Sequence, residues 1–169
     1  FGASRLALQL CGLADKAREL NAAAASIARR AAAASGKAIW IAGSIGPHGP
    51  QAQNATSAER REAWREQARA LIGGGVDLLM LETFGDIDDL KLAIEAVRAE
   101  DAVIPLVAQM AFGQTGATAT GATPARMIEA LGGAAVDVIG HNCGGGEAAA
   151  LAAARALTSG TALPVSIFA

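Results

Sequence analysis

The sequence predicts an α/β fold built on a parallel sheet, and three observations lead there. Apolar runs alternate with longer helical stretches. The runs are continuous rather than alternating in and out, as strands buried on both faces are. The spacing repeats roughly every 30 residues, the length of a serial strand–helix unit. Two architectures satisfy this pattern, a doubly wound open sheet and a (β/α)8 barrel. A barrel takes about 250 residues, so 169 residues would make part of one.

The elements follow in order. Residues 14–34, ADKARELNAAAASIARRAAAA, predict a helix from alanine content alone. KAIWIAG (37–43) predicts a short buried strand ending at Gly43, and SIGPHGPQAQNAT (44–56) a loop punctuated by Gly and Pro. Ser57 is placed to cap a helix running to about Gly73. VDLLMLE (76–82) is the next strand. Asp86 caps the helix after it, with Asp88 and Asp89 near its positive end. VIPLVAQMAF (103–112) is a strand and GQTGATATGAT (113–123) a long loop. Thr123 and Pro124 make an N-cap and N1 pair for a helix to about Leu131. AVDVIG (135–140) is a strand, HNCGGG a loop, 147–157 a helix, and LPVSIFA (163–169) the last strand. No linker interrupts the five units, so one domain is expected.

Composition excludes several classes of function. A net charge of −2 leaves no basic surface for nucleic acid. Aromatics at 4%, with no tyrosine, leave no platform for base stacking. No apolar run reaches the ~18 residues of a membrane helix. Two cysteines cannot build a disulfide framework, so a reducing, cytoplasmic setting is expected. The chain opens on Phe1 and stops inside an apolar run, so both ends read as cut.

In either architecture the functional loops follow the C-terminal ends of the strands. Here these are GSIGPHG, LETFGD, QMAFGQTG and GHNCGGG. Glu82 ends an otherwise apolar strand, where a carboxylate needs a cation partner. A ligand ammonium group or a neighbouring Arg or Lys would satisfy it, and capping the following helix is a further reading. Cys143 follows a strand and precedes three glycines, which open backbone space for a ligand. Near a helix N-terminus its thiolate form is favoured, giving a nucleophile or zinc ligand; a small buried hydrophobe is the plain alternative. His141 lies two residues before it, on the same side of an extended segment, and a bond to nearby backbone accounts for it. His48 reads as a loop residue and Cys11 as structural. Gly43, Gly46 and Gly49 could cradle an anion, though no Lys-Ser/Thr follows as in a P-loop.

Taken together, these residues resemble the homocysteine S-methyltransferase family. FGASRLAL, GLADKARELN, IAGSIGPHG, DLLMLETFGDIDDLKLAIEAVR, PLVAQMAF, TGATP and AAVDVIGHNCGGG carry the resemblance, in family order along nearly the whole chain. The resemblance implies a partial (β/α)8 barrel, roughly strands 3 to 7. Residues 1–169 would then be part of a single homocysteine-binding domain truncated at both ends. It implies zinc held by three cysteines. Cys143, in Gly140-His141-Asn142-Cys143, is one of them, and a Cys-Cys pair is expected beyond the C-terminal end. It implies that Glu82 binds the homocysteine amino group, with Asn142 beside it in the substrate site. Methyl transfer to the homocysteine thiol, giving methionine, is the implied reaction, in the whole protein rather than in this piece. Methylcobalamin, methyl-folate, a methylated sulfonium and betaine all stay open as donors, and fused folate or cobalamin domains are compatible. Two alternatives make different demands: a phosphate-binding barrel enzyme without zinc, using the glycine loops, and a non-catalytic remnant of the fold.

Overall fold

The computed structural model describes residues 1–168, with Gln51 as backbone only. Its elements are α1 (Arg5–Leu8), α2 (Ala17–Ala34), β1 (Ala42–Ile45), α3 (Ser57–Gly73), β2 (Leu78–Phe84), α4 (Ile87–Glu100), β3 (Leu106–Met110), α5 (Pro124–Leu131), β4 (Val138–His141), α6 (Glu147–Gly160) and β5 (Val165–Ile167). The strands form one sheet in the order β1-β2-β3-β4-β5, so every strand lies beside its neighbours in the chain. Strands β3, β4 and β5 run parallel: Val107 to Met110 pair with Val138 to His141, and Ile139 to His141 with Val165 to Ile167. The α/β expectation holds. By contact the chain forms two compact units, Phe1–Met80 with Glu95–Pro105, and Leu81–Ile94 with Leu106 onward.

In the first unit, α2 packs on α3 through small residues. Ala17, Ala25 and Ala32 are buried on α2. A Cβ on Gly74 would lie 2.7 Å from the Ala25 Cβ and 2.9 Å from the Ala22 carbonyl oxygen, so the helices approach closely there. Asn21 is buried between them and fully bonded. Its Nδ2 donates to the Ala3 and Ala17 carbonyls, and its Oδ1 accepts from Gln67 Nε2. The α3 cap is Thr56, not Ser57: its hydroxyl accepts from the Glu59 N–H while the Glu59 carboxylate accepts from the Thr56 N–H. That reciprocal capping box satisfies two otherwise orphaned donors. Glu66, nearly buried, accepts from both Arg5 and Arg18. Burial pushes its carboxyl up, but the two guanidinium groups outweigh that and hold it below the usual carboxylate range.

His48 lies in a loop, as expected, but a buried one. It is 3% exposed, stacked on Trp64 at 4.0 Å between ring centroids, with Nδ1 bonded to the Ser4 hydroxyl and Nε2 to the Arg60 carbonyl. The stacking partner is supplied by the next helix, which local punctuation cannot reveal. Burial lowers the His48 pKa to about 4. The sign follows: the folded state holds His48 neutral while the unfolded chain protonates near pH 6.5. The stability is therefore complete above that pH and is lost as pH falls toward 4. The loss is on the order of 3 kcal/mol at most. Denaturation midpoints between pH 7 and 5 should fall in the native protein and fall less in His48→Gln.

The strands start later than the apolar runs suggest. Lys37 to Trp40 lie outside β1, and Trp40 is 80% exposed. The reason is a carboxylate. The Ile41 N–H donates to Asp77 Oδ2 at 2.7 Å instead of entering a ladder. In the second unit the Leu106 N–H donates to Asp137 Oδ2 at 2.8 Å. Asp77 and Asp137 each follow a valine and lead into a strand, and each closes the amide that opens the preceding one. Asp101 ties the turn before β3, accepting from the N–H groups of Val103 and Ile104. Ala169, in the last expected strand, lies outside the described residues.

The second unit has Phe84, Leu90, Phe112, Met127, Ile139 and Leu157 in its core. Asp86 caps α4 through the N–H groups of Asp88 and Asp89, and Thr123 with Pro124 opens α5, both as the sequence predicts. Helix α6 runs three residues past its expected end, to Gly160. Gly160 itself touches α5, where a Cβ would lie 2.6 Å from Ile128 Cδ1.

Candidate functional site

Of the residues singled out in the GHNC and LETF stretches, Glu82, Asn142 and Cys143 meet in the second unit, at the C-terminal ends of β2 and β4. Gly140 is in β4 because nothing larger fits: a Cβ there would lie 2.0 Å from the Ser166 carbonyl oxygen on β5. His141 ends β4 fully buried, with Nδ1 3.2 Å from both the Met110 carbonyl and the Phe112 amide. Its ring stacks on Phe112 at 5.7 Å, and burial lowers its pKa. Bonding to backbone is what it does. The chain turns after it, so the expectation that His141 and Cys143 share one side fails: His141 is buried and Cys143 exposed.

Asn142 is 2% exposed and reaches across to the end of β2. Its Oδ1 accepts from the Thr83 N–H at 2.6 Å. Its Nδ2 donates to Thr83 Oγ1 at 2.7 Å and to Glu82 Oε2 at 3.3 Å. The Cys143 sulfur lies 3.6 Å from the same Nδ2 and 4.0 Å from Thr83 Oγ1. Glu82, Thr83, Asn142 and Cys143 are thus one connected polar cluster. Among the described residues, Thr83 and Cys143 are the two non-glycine residues at positive φ, 63° and 57°. For a β-branched threonine this is a genuine outlier. Such strain costs on the order of 1–3 kcal/mol per residue and persists where its surroundings over-determine it. Thr83 is the residue that sequence reasoning missed: a threonine closing an apolar run looks like an ordinary strand residue.

Two of the three glycines after Cys143, Gly144 and Gly145, do not open space. A Cβ on Gly144 would lie 2.3 Å from the Phe112 carbonyl oxygen, and one on Gly145 would lie 2.5 Å from the Gln114 nitrogen. They let this loop lie directly on the loop after β3, where the Gly145 N–H donates to the Phe112 carbonyl. Gly43 and Gly46 do not form an anion cradle either. Gly43 makes room for Leu71 and Leu79, and Gly46 for the ring of Phe1. Cys11 is exposed in a short 3-10 turn, so the structural reading of it is corrected as well.

For a metal, the described residues offer one suitable donor at this cluster, the exposed sulfur of Cys143. No group of three or more His, Cys, Asp or Glu residues is arranged to hold an ion among the described residues. A soft thiolate suits zinc, but zinc sites have three or four protein ligands. The donor chemistry fits and the donor count is partial. A cleft of about 280 Å³ beside the cluster's end of α4 is lined by Asp86, Asp88, Thr120, Gly121 and Arg126.

Comparison with known proteins gives the family and the fold. The chain is 30% identical to methionine synthase of Mycobacterium tuberculosis over 176 aligned positions, and 29% to that of Mycobacterium leprae. Each alignment takes in 99% of this chain but 15% of the relative. In fold it matches the homocysteine methyltransferase MmuM of Escherichia coli. For the metallated form the TM-score is 0.85 at 20% identity, covering 98% of this chain and 62% of that one. For the apo form the TM-score is 0.77 at 22% identity. The chain therefore has the α/β fold of part of these barrel enzymes. The sequence profile described as "Homocysteine S-methyltransferase" matches residues 1–169, and the chain belongs to that family.

Proposed function

We propose that this chain is the central part of a single homocysteine-binding barrel domain that, in the whole protein, transfers a methyl group to the homocysteine thiol. The observation that carries the reading is the bonded cluster of Glu82, Asn142 and Cys143 at the C-terminal ends of parallel strands, where such folds carry their chemistry.

Each residue has a task. The Glu82 carboxylate takes the substrate ammonium in a charge-assisted hydrogen bond, stronger than a neutral one. Asn142 serves the substrate site by holding that carboxylate through Nδ2. Cys143 presents its sulfur to zinc as one ligand, with two further cysteines expected from the family pattern. Bound zinc supplies a Lewis acid that keeps the substrate sulfur as thiolate at neutral pH. The Cys143 sulfur sits 3.6 Å from the Asn142 amide nitrogen, so the same side chain borders both the carboxylate and the metal-facing thiol. An exposed thiol in this role needs reducing surroundings, as in the cytoplasm. Among the described residues no helix is long and apolar enough to cross a membrane.

The test is Glu82→Gln in the full-length protein. Zinc content should match the parent, while KM for homocysteine rises about 10–100-fold, the worth of a charged hydrogen bond. A Glu82→Gln enzyme with unchanged KM would remove the ammonium from the reading.

A further inference from the structure

Thr83 touches everything in the cluster and has no part in the chemistry above. Its N–H and its hydroxyl are both bonded to Asn142, one to each end of the amide. The same amide donates to Glu82 and approaches Cys143. Two residues of unusual handedness, Thr83 and Cys143, therefore face each other across one buried side chain. A buried amide with both ends engaged cannot rotate without leaving donors unpaired. Its nitrogen end, pinned by Thr83, borders both the Glu82 carboxylate at 3.3 Å and the Cys143 sulfur at 3.6 Å.

We propose that Thr83 and Asn142 form a latch that fixes the spacing between the Glu82 carboxylate and the Cys143 sulfur, and so selects the length of the aminothiol substrate. This rests on the proposed function, in which those two groups grip the substrate's ammonium and, through the metal, its sulfur. The number of methylenes between ammonium and sulfur must then match a fixed distance. Homocysteine carries one methylene more than cysteine. Rigid anchors discriminate such a difference by roughly 10–200-fold, and loose ones surrender it. Thr83 is a positioning residue: it acts on the substrate through Asn142, Glu82 and Cys143.

The experiment uses full-length, zinc-loaded protein with Thr83→Val and Thr83→Ser. Valine keeps the branched shape and removes the hydroxyl; serine keeps the hydroxyl. Binding of homocysteine and of cysteine is measured by calorimetry, which needs no turnover. The parent and Thr83→Ser should prefer homocysteine by roughly 10–200-fold, and Thr83→Val should prefer it by less than about tenfold. A Thr83→Val protein with the parental ratio overturns the latch. A parent that binds no homocysteine sinks the functional reading instead, and hydrogen exchange then decides the latch. The Thr83 amide should be protected in the parent and exchange at least about tenfold faster in Asn142→Ala, while the Ile139 amide, bonded to Pro164, stays as it was. A Thr83 amide exchanging at open-loop rates in the parent overturns the latch independently of any ligand.

Discussion

Gly140→Ala will leave the protein insoluble or unfolded. The new methyl group would lie 2.0 Å from the Ser166 carbonyl oxygen and 2.9 Å from its carbon, both backbone atoms in the β4–β5 ladder. Carbon and oxygen in contact need more than 3 Å, and no side-chain rotation relieves a backbone clash. The strands must part, which removes the pairing of Gly140 with Ser166 and of Ile139 with Val165. A loss of about 4 kcal/mol or more is expected, at the exceptional end for one substitution. Domains hold roughly 5–15 kcal/mol in total. Gly73→Ala is the control: nothing lies within 4 Å of its Cβ position at the end of α3, so it should stabilise by about 0.5–1 kcal/mol. Circular dichroism and urea denaturation of both variants check the contrast. A soluble Gly140→Ala protein with parental midpoint would mean that β5 does not pair with β4 as described.

Cys143→Gly will separate stability from function in opposite directions. At φ 57° the cysteine pays for a handedness that glycine adopts freely. Its side chain is exposed, so little packing is lost. Stability should rise by about 1 kcal/mol, within the range for relieving such strain. Zinc binding and methyl transfer in the full-length protein should collapse together. Partners of a metal ligand are worth about 10–100-fold in affinity, and the ligand itself exceeds them. Thermal denaturation, metal analysis and homocysteine turnover give the three readings. A variant that retains stoichiometric zinc would remove Cys143 from the metal site.

The fold was legible because its strands are continuous apolar runs at even spacing. Their starting points were not, because Asp77 and Asp137 take the amides of Ile41 and Leu106 out of the ladders from a distance in sequence. Glu82 and Cys143 stood out as polar residues where a core wants apolar ones. Thr83 did not, since its positive φ goes with bonds to Asn142, which comes from the loop after β4. His48 was hidden for the same kind of reason: GPHGP has the composition of a turn, and only the ring of Trp64 makes it a buried contact. Gly144 and Gly145 were visible but misread, because composition cannot tell a glycine that makes room for a ligand from one that admits a neighbouring backbone.

The two aspartates point backward along the chain: Asp77 secures a strand already made, and so does Asp137. With strands adjacent in synthesis order, each unit leaving the ribosome finds its docking edge waiting and seals it on arrival. Assembly can therefore proceed vectorially, with short-range closures that favour speed. A nascent chain paused before Asp137 would leave the opening amide of β3 unsealed, as one paused before Asp77 would leave that of Ile41.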